Sequence, residues 1–244
     1  MFFVFNKRKI KSYLISLGTV AILFSVSFFS LKSENVVQTQ ASFENIIAAG
    51  PILKAENKTK EIALSINCSE NAENIDKMLQ ILIKANVKAT FFVTGKVATE
   101  NTELIKKIVD TGNEVGSLTN TYVHLKEKSA SEVKKQISEA VKNIEKITNK
   151  KIVTFRAPYG EYNKVVLNEI HDQNLKLIGW NIDSLDYNGL NAEEMWERIN
   201  ENLEPGSIIL FHNSAKYTCD GLEEIINKIK EKNYTLTTVQ EMVG

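Results

Sequence analysis

The chain has 244 residues and balances 30 basic against 30 acidic side chains, for a formal net charge of zero. At 43% hydrophobic composition, that length suits one well-buried domain of about 180 residues plus appendages. Balanced charge supplies no pull toward polyanions, which excludes nucleic acid as a partner. The two cysteines, Cys68 and Cys219, are too few for a disulfide framework and lack zinc-ribbon or redox spacing.

The N-terminus divides into a basic tail, residues 1–11, and an uncharged apolar run from Ser12 to Leu31. About twenty such residues suffice to cross a bilayer as a helix, so 12–31 is expected to be a single-pass transmembrane anchor. Lys7, Arg8, Lys9 and Lys11 precede the run while Lys32 is offset by Glu34, which keeps the tail cytoplasmic and the rest outside the cell membrane. A cleaved signal peptide is the alternative, with Gln40-Ala41-Ser42 as its cleavage site. Residues 32–60 are polar and aperiodic and read as a linker.

From residue 61 to 244, short apolar runs alternate with amphipathic stretches, which predicts β/α units around a parallel sheet. Seven strands are expected: 62–66, 90–93, 114–117, 152–156, 177–181, 207–212 and 234–238. Ile75, Met78, Leu79 and Leu82 share one helical face, and Ser129 with Glu132 forms a capping box ahead of Val133, Ile137, Val141 and Ile144. Gly112, Asn174 and Asn233 stand where helices must stop. Seven successive units predict an α/β fold, a closed or nearly closed barrel, with an open doubly wound sheet as the other arrangement.

Asn67, Cys68, Leu118, Arg156, Asp183 and His212 fall at or just past the C-terminal ends of those strands, the face on which such barrels carry their sites. His212 suits an acid near neutral pH, and Asp183 or Asp186 would orient it. Read alone, Asp183-x-x-Asp186 is a turn closed by side-chain to backbone hydrogen bonds, and Arg156 is a rim arginine in a salt bridge. Pro158 and Gly160 impose a turn that aims Tyr159. His124 lies in the loop after the third strand, near the same face.

Arg156-x-Pro158-Tyr159-Gly160, Asp183-x-x-Asp186-Tyr187 and Leu210-Phe211-His212 together resemble the third, fourth and fifth motifs of the NodB-homology polysaccharide deacetylases. The resemblance covers about 60–244 and is to the membrane-anchored sporulation and cell-wall type. It implies a distorted seven-stranded β/α barrel acting on N-acetylated cell-wall glycan such as peptidoglycan. It also implies a divalent metal, usually zinc, held by one Asp and two His, with a second Asp as base and the fifth-motif His, here His212, as acid. Arg156, Asp183 and Asp186 would complete the catalytic set, with Pro158, Tyr159 and Tyr187 binding substrate.

The first two motifs depart from that pattern. The family's Thr-Phe-Asp-Asp is here Ser65-Ile66-Asn67-Cys68, and its Ser-His-Thr-x-x-His is Ser117-Leu118-Thr119-Asn120-Thr121-Tyr122. Asn67, Cys68, Leu118 and Tyr122 are therefore degenerate positions. An amide is no base, and without a metal the pKa of water stays near about 15.7 instead of falling toward about 7. The expectation is a pseudoenzyme without a cofactor. The competing reading is an active deacetylase whose metal site is rebuilt from Cys68, His124 and His212. Cys68 and Cys219, expected on loops of the same face, would be free thiols or a disulfide across the pocket.

Overall fold

The computed structural model describes residues 50–56 and 59–244. The basic tail, the apolar segment 12–31 and the linker up to residue 49 lie outside the described residues. Among those described, no helix is long and apolar enough to cross a membrane.

Among the described residues, eight parallel strands form one curled sheet: β1 (Glu61–Cys68), β2 (Thr90–Val93), β3 (Glu114–Ser117), β4 (Thr154–Phe155), β5 (Lys176–Leu177), β6 (Ile182–Asp183), β7 (Ile208–His212) and β8 (Thr235–Thr237). Their order is β5-β4-β3-β2-β1-β7-β6, with β8 beside the first residues of β1. Among the described residues, eight α-helices connect or follow them: α1 (Ile75–Ala85), α2 (Gly95–Glu100), α3 (Thr102–Asp110), α4 (Ala130–Thr148), α5 (Lys164–Asp172), α6 (Ala192–Asn202), α7 (Thr218–Glu231) and α8 (Val239–Val243).

The central strand β1 explains the two-sided core. Ile62, Leu64, Ile66 and Cys68 pack into the layer shared with the helices, whereas Ala63 joins Phe92, Leu118, Ile178 and Ile208 in the cluster inside the curl. Alternation of side chains along the strand produces this division, and burial on both faces explains the nearly unbroken apolar run. Helix boundaries follow from local chemistry. Ser129 and Glu132 complete the capping box of α4, and Gly112, Asn174 and Asn233 all take positive φ just beyond a helix.

The fifth expected strand is divided. Leu177 pairs with Phe155 of β4, whereas Ile182 pairs with Ile209 of β7, so one extended segment serves both edges of the sheet. Only residues 178–181 intervene, and five Cα steps span at most ~17 Å. Among the described residues no ladder joins β5 to β6, so the curled sheet is open between these two edges and only this segment crosses the gap.

The end of the expected linker covers this seam. Ile52 donates its N–H to Leu177 O at 2.8 Å and accepts from Gly179 N at 2.8 Å, and Ala55 donates to Gly206 O at 2.9 Å. An exposed strand edge invites foreign pairing, and this strap occupies it. Gly206 sits at φ +84°, and a Cβ there would fall 2.0 Å from the Ala55 carbonyl oxygen. Gly206→Ala is expected to cost about 2 kcal/mol and to make residues 50–56 more susceptible to proteolysis, measurable by urea unfolding and limited digestion.

Candidate active site

The motif residues converge at the C-terminal end of the barrel. Asn67 and His212 are register partners on neighbouring parallel strands β1 and β7, so their side chains leave the same face of the sheet. His212 is locked from behind. Its Nδ1 lies 2.9 Å from Asp186 Oδ1, its backbone N–H donates to Asp186 Oδ2 at 2.7 Å, and Thr218 Oγ1 donates to the same oxygen at 2.6 Å. Asp186 is buried while His212 keeps 19% of its side chain exposed. Tyr187 meets the imidazole edge-on at 5.2 Å and is itself exposed.

Of the two carboxylates offered to His212, Asp186 is the one that orients it. Asp183 instead closes the turn: Oδ1 accepts from Leu185 N at 2.9 Å and Oδ2 from Tyr187 Oη at 3.1 Å. Its carbonyl accepts from Arg198 Nε at 2.7 Å. This is the plain turn chemistry of an Asx residue, and Asp183 acts on the site through Tyr187.

Arg156 is fully buried and, among the described residues, forms no salt bridge with a carboxylate, so it is not the rim arginine that it reads as when taken alone. Nη2 donates to Ser65 Oγ and to Gly179 O, both at 2.9 Å, Nη1 to Asn67 Oδ1 at 3.2 Å, and Nε to Ile178 O at 3.3 Å. The guanidinium also lies 4.1 Å from the Phe92 ring centroid and 5.4 Å from that of Trp180. Burial pulls its pKa down to about 9, which still leaves it charged at neutral pH. Every oxygen that meets it is neutral.

The remaining motif positions hold no acid or imidazole. Leu118 is buried among Phe92 and Ile178, with Tyr122 and Trp180 packed against the same cluster. Tyr122 Oη accepts from Tyr159 N at 3.4 Å, and the two rings lie 4.7 Å apart. Burial raises the Tyr122 pKa, so this group is a neutral phenol. Tyr159 takes φ +59°, a strained value for a non-glycine residue, within the Pro158–Gly160 turn and stands half-exposed. The turn thus aims Tyr159 outward as its Pro and Gly imply.

The geometry corrects the rebuilt metal site. Cys68 points into the helix layer rather than the mouth, and burial pushes its thiol far above the ordinary range, the reverse of what a thiolate ligand needs. His124 stacks on Tyr159 with centroids 4.0 Å apart, and its Nδ1 lies 3.1 Å from Glu161 Oε2. Cys68, His124 and His212 therefore do not converge, and among the described residues no three His, Cys, Asp or Glu side chains could hold a metal ion. Cys219 lies on α7 rather than on a loop, and both cysteines are free, buried thiols.

Ser65, Trp180 and Thr218 join the site through contacts for which they were not singled out, and His124 lies at the expected face but as a ring partner of Tyr159. Ser65 was within reach of the alternation rule, since it precedes Asn67 by two residues on one strand. Thr218 approaches from α7 across a gap of 32 residues, and no local pattern signals it.

A parallel β/α barrel carrying a histidine–aspartate pair beside a buried arginine, with aromatics at its rim, defines the polysaccharide deacetylase class. Residues 54–178 match the family model described as polysaccharide deacetylase, and the chain belongs to that family. The peptidoglycan-N-acetylglucosamine deacetylase PgdA of Listeria monocytogenes is 31% identical over 194 residues, covering 80% of this chain and 41% of that protein. The Bacillus subtilis protein YlxY is 30% identical over 193 residues, covering 79% of this chain and 60% of its own length. The chain thus spans about half the length of these curated relatives. Among solved structures, BA3943, a CE4 family pseudoenzyme from Bacillus anthracis, is similar at a TM-score of 0.75 and 31% identity, covering 80% of this chain and 69% of that one. A mutant of BA3943 with restored enzymatic activity is also similar, at a TM-score of 0.74.

Proposed function

We propose that this protein is a pseudoenzyme of the family that binds N-acetylated cell-wall glycan of the peptidoglycan type without hydrolysing it. It would act outside the cell membrane, held there by residues 12–31 as a single-pass anchor, and belong with the sporulation and cell-wall members. It would use no metal cofactor.

The observation that carries this reading is what fills the barrel mouth. An amide, Asn67, faces Arg156 where the family's pattern has a carboxylate, and Leu118 and Tyr122 form apolar and phenolic packing where it has histidines. The acid half persists as His212 on Asp186. General acid catalysis supplies about 10²–10⁴ in rate, whereas enzymes typically supply about 10⁶–10¹⁷. Tyr187 is exposed, and half-exposed Tyr159 stacks on His124, so the rim offers aromatic surface for sugar rings. Similarity to a structure described as a pseudoenzyme of this family supports the same reading.

The test is metal analysis and acetate release with the full chain, purified in zinc-supplemented buffer and incubated with N-acetylated peptidoglycan fragments. We expect substoichiometric zinc and no acetate above the blank, together with retention on insoluble peptidoglycan. One zinc per chain with turnover would overturn the proposal. Protease protection of residues 1–11 but not of 61–244 in intact cells checks the anchor and its orientation.

A further inference from the structure

Resting on the glycan-binding reading, we infer that an apolar pocket on the outer side of the seam takes the peptide branch of peptidoglycan, with alanine-type methyl groups inside it and a peptide carboxylate at Lys164. The protein thus reads the peptide that hangs from the sugar chain as well as the sugars.

The pocket follows from the divided fifth strand. Among the described residues, every other pair of consecutive strands is joined through at least one α-helix, but β5 and β6 are joined by residues 178–181 alone. The helix layer that covers the sheet elsewhere is therefore missing at the seam, and the strap takes its place. Ile52 packs with the cluster inside the curl, so alternation turns Pro51 and Leu53 outward. Together with Leu177, Gly179, Tyr162 and Trp180 they line a pocket of about 240 Å³. Gly179 gives Leu53 its room, since a Cβ there would fall 2.5 Å from Leu53 Cδ2. Pro51 and Leu53 also lie ahead of the family match at residues 54–178.

The lining selects the ligand. Tyr162 Oη and Trp180 Nε1 are the only polar side-chain atoms among the lining residues. A sugar ring placed there would leave most of its hydroxyls without partners, which is costly for buried groups, whereas methyl groups gain from leaving water. Drug-sized ligands occupy about 300–1,000 Å³, so this smaller pocket suits one or two short side chains. Leu53 and Tyr162 are exposed at 48% and 36%, which keeps the pocket open to solvent. Half-exposed Tyr159 and exposed Val165 flank Tyr162 in the chain, so apolar surface is concentrated here.

Position and charge name the source of those side chains. Tyr159 at the rim is followed directly by Gly160, a lining residue, and Trp180 lines the pocket while its ring lies 5.4 Å from the Arg156 guanidinium. A polymer whose sugars lie at the mouth therefore brings its branches to the pocket. Peptide branches of peptidoglycan carry alanine methyl groups and carboxylates. Lys164, exposed two residues beyond Tyr162, forms no ion pair among the described residues, whereas the neighbouring Glu161 is occupied by His124. The charge left over is a cation, which complements an anionic branch.

The experiment is calorimetric titration of the full chain with a peptidoglycan disaccharide carrying its pentapeptide and with the same disaccharide lacking it. We expect about tenfold tighter binding of the peptide-bearing form, the effect of burying roughly two methyl groups. Leu53→Ser and Tyr162→Ser, both at exposed positions, should each bring the ratio close to one and leave the affinity for the bare disaccharide unchanged. Lys164→Gln should lower the ratio in part and remove its dependence on salt. Equal affinity for the two ligands in the unmodified protein, or a ratio unchanged in either serine variant, overturns this inference alone. A dimer of the unmodified protein that dissociates on Leu53→Ser, read by sedimentation, would assign the pocket to a second copy and overturn it as well. Binding of neither ligand overturns it together with the glycan-binding reading.

Discussion

Asn67→Asp should stabilise the protein by about 3 kcal/mol at pH 7, because it places an acid in hydrogen-bonding reach of a buried cation that makes no direct carboxylate contact among the described residues. Arg156 is held by one amide, one hydroxyl and two backbone carbonyls. These satisfy hydrogen bonds but do not neutralise charge, and burial draws the Arg156 pKa down to about 9 against the smaller opposing effects of Tyr122 and Glu114. A carboxylate at residue 67 would sit within hydrogen-bonding reach of Nη1 without moving the backbone. For a domain of this size the gain corresponds to roughly 6–12 °C in thermal midpoint.

The pH dependence of that gain has a definite sign on each side. On the acid side, Arg156 would hold the new carboxyl below its unfolded value of about 3.9. The gain is therefore complete above that value and is lost as pH falls through the folded pKa. On the alkaline side, the Arg156 pKa is depressed in the folded unmodified protein, so the unfolded chain binds the extra proton above about 9. The unmodified protein thus recovers stability as pH rises beyond that point, and the two proteins converge. Urea unfolding of both at pH 3, 7 and 10 should give the largest difference at pH 7. No gain at pH 7 would mean that desolvating the new carboxylate outweighs its attraction to Arg156.

Much of the framework was legible because it is written locally. Strands β2 and β3 have the expected bounds, the α4 capping box forms as read, and Gly112, Asn174 and Asn233 adopt the left-handed turns that end helices. The division of the fifth strand was not legible. It depends on pairing with two distant partners and on a strap, Ile52 to Ala55, that composition marks only as linker. Asp183 and Asp186 are chemically identical in sequence. Positive φ at Leu185 and the approach of Thr218 decide which of them reaches His212. Cys68 illustrates the opposite case, since period-two alternation from Ile62, Leu64 and Ile66 already assigns it to the helix layer. Motif correspondence placed it at the mouth instead.

That orientation governs the outcome of rebuilding the family's motifs. The combined variant Asn67→Asp, Cys68→Asp, Leu118→His and Tyr122→His should, without metal, be less stable than the unmodified protein by about 4 kcal/mol, despite the gain from Asn67→Asp. Three changes share the cost. Cys68→Asp places a carboxylate in a layer that already pushes the thiol pKa far up. Leu118→His puts an imidazole among Phe92 and Ile178, and Tyr122→His removes the hydroxyl that accepts from Tyr159 N. Zinc should reverse the deficit only if the last residue of β1 rotates to bring the new carboxylate to the mouth. A ligand at about 1,000 times its Kd adds about 4.1 kcal/mol, enough to offset the loss. Thermal melts with and without zinc chloride therefore report the rotation directly, and acetate release reports whether the rebuilt site turns over. We expect a zinc-dependent rise in midpoint that is absent when Cys68 is left unchanged. The same rise with Cys68 in place would show that the two histidines and residue 67 suffice as ligands, and that residue 68 belongs to the core alone.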